Sequence, residues 1–247
     1  MGILDLNNIS FSYGNGSLIR DLSLSVESGK FIGLIGANGS GKSTILKLAA
    51  GILTPVSGNV TLWGKAMHLY KGKDRAKLIS YLPQMLDVKV PFKVKELISM
   101  GLYPYDVPPQ LSLEEAISMV DLDDKTDTLI GELSGGERRR VFIAMTLLQG
   151  AGILLLDEPL ANLDVRYQIE FVRLLRDLRD KKDISIVMAV HDINMAVQFD
   201  FLYVIKNGEM RASGIPAEIM TTGLLNDVFE VQVNIYRQED GTISFGY

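Results

Sequence analysis

The stretch FIGLIGANGSGKSTILKLAAGIL, Phe31 to Leu53, decides the fold. Its opening FIGLI is apolar or glycine throughout, as a strand buried on both faces requires. A glycine-rich turn follows. From Ser43 the run TILKLAAGIL keeps its apolar residues at helical spacing, until GILTPVSG supplies a glycine, a proline and a serine to stop it. Strand, loop, helix is the predicted order. Within the loop, Gly36, Gly41, Lys42 and Ser43 satisfy the phosphate-loop pattern in the context that pattern needs. Glycines let backbone N–H groups converge on phosphate oxygens, the helix N-terminus adds partial positive charge, and Lys42 places a point charge at the outer phosphates. Ser43 offers its hydroxyl to Mg²⁺. The predicted phosphate site is Gly36, Ala37, Asn38, Gly39, Ser40, Gly41, Lys42, Ser43 and Thr44.

Working outward, the alternation in ILDLNNISFSY and SLIRDLSLSVESG predicts an antiparallel hairpin ahead of the loop. Downstream, GILLLDEP and SIVMAVHD are two more strand-length apolar runs, separated by a helix whose inner face is Phe171, Leu174, Leu175 and Leu178. Alternating strands and helices imply a mostly parallel sheet with ligand loops at the carboxyl ends of its strands. Between them, about 87–145, VKELISMGLY and SLEEAISMVDL read as helices joined by the proline-rich PYDVPPQ, a small helical subdomain. The tail VNIYRQEDGTISFGY reads as a hairpin turning at Asp240-Gly241.

Two further segments carry chemistry. ILLLDEP brings Asp157 and Glu158 to the open end of an apolar strand, where Asp157 suits a Mg²⁺-orienting carboxylate and Glu158 a base or polariser for attacking water. LSGGE, Leu133 to Glu137, precedes a helical run, so Ser134, Gly135 and Gly136 stand at a helix N-terminus and form a second anion site. Two phosphate-binding elements about ninety residues apart suggest that one triphosphate is shared across a dimer.

Composition excludes several classes. Apolar residues are 47% and charged residues 22% of 247, which fits a folded globular chain rather than a disordered or collagen-like one. A net charge of −5 argues against a general nucleic-acid binder. With no cysteine, neither disulfides nor thiolate metal sites are available. The opening MGILDLNNISFSYG lacks the basic and apolar regions of an export signal, and no run reaches membrane-spanning length, so a cytoplasmic chain is expected.

GANGSGKST, the LPQ at Leu82 to Gln84, LSGGE, ILLLDEP, NLD at Asn162 to Asp164, and His191 after a strand together resemble the ordered motif set of the ABC ATPases. The resemblance covers nearly the whole chain. It implies one ABC ATP-binding domain over 1–247 of class α/β: a P-loop NTPase (RecA-like) core with an antiparallel β-subdomain and an inserted helical subdomain. It implies ATP and Mg²⁺ as cofactors. It also implies a head-to-tail dimer in which each ATP lies between one copy's phosphate loop and the other's Ser134, Gly135 and Gly136.

By the same resemblance Tyr13 stacks on adenine, Gln84 contacts Mg²⁺ and the water, His191 touches the γ-phosphate, and Asp164 lies at the dimer interface. Glu158, His191, Gln84 and Lys42 are then the catalytic set, and Ser43, Gln84 and Asp157 the metal set. His68 matches nothing and is expected at the surface. The implied partners are integral membrane permease subunits, docked near Met85 to Tyr105, and indirectly an extracytoplasmic substrate-binding protein, with no nucleic acid. The implied location is the cytoplasmic face of the membrane.

VKELISMGLYPY, DKTDTLIGELSGGE and GIPAEIMTTGLLNDVFEVQVNI resemble the importer branch for iron-siderophore, haem and cobalamin. Leu102, where that branch often has arginine, and a short Asp106–Ser112 link depart from it. Leu160 replaces a common threonine after DEP, and Glu137 a common glutamine. Alternatives are an importer or exporter ATPase for another substrate, a soluble ABC ATPase on DNA or ribosomes, and a non-hydrolysing nucleotide-gated module. The soluble ATPases usually carry coiled-coil insertions or paired cassettes, and the non-hydrolysing module would lack Glu158 or His191. No NKxD-type motif supports a guanine nucleotide protein.

Overall fold

The structure, a computed structural model, describes residues 2–14, 16–84, 91–106, 111–161, 163–237 and 243–246. The chain packs as two units, Met1–Leu69 with Val187–Tyr247, and Tyr70–Ile186. The first opens with strands β1 (Leu4–Phe11), β2 (Ile19–Val26) and β3 (Phe31–Ile35), helix α1 (Lys42–Ala49), and strands β4 (Ser57–Leu62) and β5 (Lys65–Ala66). The second comprises α2 (Gly72–Ala76), β6 (Ile79–Leu82), α3 (Val94–Ser99), α4 (Leu113–Ser118), α5 (Gly135–Leu148), β7 (Ile153–Asp157) and α6 (Val165–Lys182). Strand β8 (Ser185–Val190) carries the chain back to the first unit, which ends with β9 (Phe201–Lys206), β10 (Glu209–Gly214), α7 (Pro216–Ile219), α8 (Thr222–Phe229), β11 (Asn234–Arg237) and β12 (Ile243–Gly246).

In the first unit, β1 pairs antiparallel with β2, as the alternation predicts, and with β4 on its other edge. Its inward residues Leu4, Leu6 and Ile9 are fully buried. Strand β3 is buried at all five positions, and its parallel neighbour β9 runs Ile32↔Phe201 to Ile35↔Val204. Full burial of a side chain such as Leu34 contributes about 2 kcal/mol, so this strand is a rigid support for the loop that leaves it. The tail's strands β11 and β12 pair antiparallel as expected; the turn at Asp240-Gly241 lies outside the described residues.

In the second unit, β6 and β7 are parallel, in register from Ile79↔Ile153 to Leu82↔Leu156. Helix α5 is buried along most of its length, including Val141, Ile143, Ala144 and Leu148. On α6, Phe171, Leu175 and Leu178 are buried as predicted, with Val172 joining them, while Leu174 is only half-buried. The helix expected from VKELISMGLY is α3 followed by a 3-10 turn, Met100–Leu102. The tightening falls at Gly101, where a Cβ would come within 2.5 Å of the Met145 carbonyl oxygen, so the close approach to α5 leaves room for glycine alone. SLEEAISMVDL is helical only to Ser118. The segment 87–90 of the predicted subdomain and residues 107–110 of its link lie outside the described residues.

Candidate nucleotide site

The first unit supplies the phosphate loop. Strand β3 ends at Ile35 opposite Val204, which sets Gly36 beside the next carbonyl of β9, that of Ile205. A Cβ on Gly36 would run into that oxygen, and its φ of 158° is one that side chains avoid. The chain then turns through Gly39 and Gly41 into α1, whose first residue is Lys42. Lys42 is 4% exposed, and its Nζ donates to the carbonyl oxygens of Gly36 at 2.8 Å and Ala37 at 3.1 Å. A buried ammonium needs acceptors, and here the loop's own backbone provides them. The Oγ of Ser40, also buried, has no hydrogen-bond partner among the described residues.

Tyr13 follows β1 and is 63% exposed; its ring meets Phe11 edge-on at 4.8 Å and its Oη lies 3.5 Å from Thr44 Oγ1. The exposed face of this ring is thus tied to the helix that bears the phosphate loop. His191 is exposed, one residue past β8. The next residue, Asp192, caps a 3-10 turn, Ile193–Gln198, by accepting from the Asn194 N–H at 2.9 Å. Asn194 Oδ1 in turn accepts from the Phe245 N–H of β12 at 3.0 Å. His68 is exposed, as expected.

The second unit, by itself, carries the two predicted carboxylates. Because β6 and β7 are parallel with Leu82 opposite Leu156, Gln84 and Glu158 each stand two residues beyond the last register pair. The Gln84 amide Nε2 donates to Glu158 Oε2 at 2.7 Å. Glu158 adopts φ 46°, a left-handed conformation that costs a non-glycine residue roughly 1–3 kcal/mol. Asp157 is 2% exposed, and its Oδ2 accepts from the Tyr81 hydroxyl at 3.3 Å.

Ser134 caps α5 through a reciprocal box: its Oγ accepts from the Glu137 N–H at 3.2 Å, and Glu137 Oε2 accepts from the Ser134 N–H at 2.8 Å. Hydrogen bonding from Ser134, first from its backbone N–H and then from its side chain, holds the Glu137 carboxyl below its ordinary pKa. Gly135 and Gly136 form the open first turn between the two partners. Asp164 is exposed at the start of α6, and Asn162 of NLD lies outside the described residues.

One residue of this unit went unforeseen. Arg139, 5% exposed, donates from Nη1 to the carbonyls of Pro83 (3.3 Å) and Gln84 (2.5 Å), from Nη2 to those of Asp157 (3.0 Å) and Glu158 (2.5 Å), and from Nε to that of Pro159 (3.1 Å). Burial pulls its pKa below the ordinary value, offset by the nearby Asp157 and Glu158 carboxylates. Three consecutive arginines, 138–140, inside an otherwise apolar helix are the signal for it, since a helix so flanked must turn at least one inward.

A glycine loop with a buried lysine at a helix start in one unit, and a carboxylate pair with a capped helix start in the other, are the parts expected of a nucleoside-triphosphate-handling protein. The sequence model described as "ABC transporter" matches residues 19–161. The petrobactin import ATP-binding protein FpuC of Bacillus anthracis is 35% identical over 243 residues, 95% of this chain and 89% of that protein. The iron(3+)-hydroxamate import ATP-binding protein FhuC of Bacillus subtilis is 36% identical over 95% and 90% of the two chains. Among solved structures, CbiO1 of Clostridium perfringens, part of the ABC transporter complex CbiONQ, superposes with a TM-score of 0.75 at 27% identity, covering 91% of this chain and 94% of that one. The chain belongs to the ABC transporter family, as an ATP-binding, ATP-hydrolysing subunit. Among the described residues, no helix is long and apolar enough to cross a membrane.

Proposed function

We propose that this subunit powers import of a metal chelate of the iron-siderophore, haem or cobalamin type through a separate membrane permease. Similarity to import ATP-binding proteins for petrobactin, iron hydroxamate and hemin over nearly the full chain supports the substrate class. The single observation that carries the hydrolytic part is the Gln84–Glu158 hydrogen bond at the paired ends of β6 and β7. It holds one carboxylate oxygen in place, which supports reading Glu158 as the group that polarises water.

Lys42 exchanges the carbonyls of Gly36 and Ala37 for phosphate oxygens when ATP arrives, and the amides of the loop and α1 hold the rest of the triphosphate. Tyr13 stacks on the adenine. Glu158 takes or polarises the proton of the attacking water, and His191 meets the γ-phosphate. Ser43, Asp157 and Gln84 offer hydroxyl, carboxylate and amide oxygens, the hard donors that Mg²⁺ takes. Bound there, Mg²⁺ supplies positive charge against the developing phosphate charge. Ser134, Gly135 and Gly136 of a second copy complete the site in a head-to-tail dimer, with Asp164 at the interface.

The permease docks on the second unit, where Tyr103 is 74% exposed beneath Lys73 and Tyr105 lies near Lys77; residues 85–90 of the expected surface lie outside the described residues. The chain then works at the cytoplasmic face of the membrane, as one domain whose helical part is about 87–145, with an extracytoplasmic binding protein delivering the chelate. The test is purification of the native membrane complex through this tagged chain. A co-purifying multi-span permease, with turnover abolished by Glu158→Gln, supports the reading; ribosomal or DNA-repair proteins in its place would overturn transport while leaving the ATPase.

A further inference from the structure

We infer that Arg139 is a positioning residue for hydrolysis, which holds Gln84 and Glu158 together from behind and ties both to the helix that begins at Ser134. The inference rests on the reading of Gln84 and Glu158 given above. Parallel strands β6 and β7 stay in register only to Leu82↔Leu156, and the five carbonyls that Arg139 binds belong to the residues just beyond, 83–84 on one chain segment and 157–159 on the other. The guanidinium therefore takes over where the register ends. It bonds to the carbonyls of both members of the Gln84–Glu158 pair, so the side-chain hydrogen bond at 2.7 Å forms on a clamped backbone. It also bonds to the carbonyl of Glu158, the residue held in the left-handed conformation.

At 5% exposure, water has little access to these carbonyls from the Arg139 side, and Arg139 and the five carbonyls satisfy one another. Five N–H donors in a rigid planar fork can bridge two segments at once; a lysine ammonium offers three from a single point. Arg139 also stands only five residues into α5 from the Ser134 cap, about 7.5 Å along the helix axis. A displacement of the first turn of α5 is thus delivered to Gln84 and Glu158 as one body. Through it the state of the Ser134–Gly136 segment reaches the water-polarising pair.

The test compares Arg139→Lys, Arg139→Gln, Gln84→Ala and the double variant Gln84→Ala/Arg139→Lys, each isolated as the tagged native complex. Readouts are kcat, KM for ATP and the thermal midpoint. Expected for Arg139→Lys is a kcat lower by about tenfold or more with KM for ATP within about twofold, the split that marks loss of an interaction acting on the chemical step alone. Arg139→Gln, with two donors, falls further. The double variant is expected to lose little beyond the worse single variant, because both act on one pair.

Unchanged kcat overturns the inference. So does a loss that multiplies with that of Gln84→Ala, or a KM and thermal midpoint that worsen in step with kcat. Failure of both Arg139 variants to yield folded complex overturns it too, since Arg139 would then serve stability alone. Wild-type turnover in Glu158→Gln, run alongside, would instead reject the underlying reading of the carboxylate.

Discussion

At the scale of single residues, Lys42 and Glu158 are each already held by hydrogen bonds within their own unit. Lys42 is bonded to its own loop, so on the proposed function phosphate binding would be an exchange of acceptors. Lys42→Ala removes a charge-assisted contact worth about 1.5–3 kcal/mol, and a rise of about 10- to 100-fold in the Kd for ATP is expected by equilibrium dialysis. Glu158→Gln keeps the shape of the side chain and removes its charge. Turnover should fall by about 10²- to 10⁴-fold while ATP binding survives, checked by phosphate release beside dialysis.

The identity of these residues was legible because each stands in a local pattern: glycines and a lysine between strand and helix, or two acids after an apolar run. The three arginines 138–140 signal that one turns inward, but the partners of Arg139 were not legible, since they lie 18–20 and 55–56 positions away and no spacing along the chain encodes them. The positive φ of Glu158 was equally hidden, because a glutamate is the wrong residue for that conformation by any local preference.

At the scale of elements, two helices of the second unit start alike. Ser112 with Glu115 caps α4, and Ser134 with Glu137 caps α5, each by a reciprocal box. Ser134→Ala should lower stability by about 1 kcal/mol in urea unfolding, whereas Ser134→Asn should recover most of it. If Ser134 acts only as a cap, the asparagine variant also recovers turnover; if its hydroxyl meets phosphate, turnover stays low.

Hydrogen bonds from Ser112 and Ser134 hold both carboxyls, Glu115 and Glu137, below their ordinary pKa. A depressed native pKa stabilises above the unfolded value and is lost as pH falls through the native one. Acid titration should therefore loosen α5, and the pH dependence of stability in the acid range should flatten in Glu137→Gln, measured by urea unfolding at stepped pH. The Ser-x-x-Glu spacing made both helix starts readable. The end of α3 was not readable, because it gives way to a 3-10 turn where Gly101 must approach α5, a constraint that belongs to the partner helix rather than to the segment itself.

At the scale of the molecule, the chain divides so that Tyr13, Gly36–Thr44 and His191 fall in one unit and Gln84, Ser134–Gly136, Asp157, Glu158 and Asp164 in the other. The strand–helix alternation and the opening hairpin gave the fold class away early. The division itself was not readable, since its boundaries at 69–70 and 186–187 lie in no linker, and the second falls inside β8. Glu158→Gln, able to bind ATP without consuming it, should shift from monomer to dimer when ATP and Mg²⁺ are added, followed by light scattering on a sizing column. A variant that stays monomeric at high protein concentration would rule out a site shared between two copies.

The in-register ends of β6 and β7 work as a ruler. Each residue added to one strand end and not the other slides its partner by about 3.3 Å, more than the length of the hydrogen bond it must make. Deletions or insertions between Leu82 and Gln84 should thus silence the enzyme even where they leave every named side chain in place. Length between these two marks is as much a part of the machine as the residues themselves.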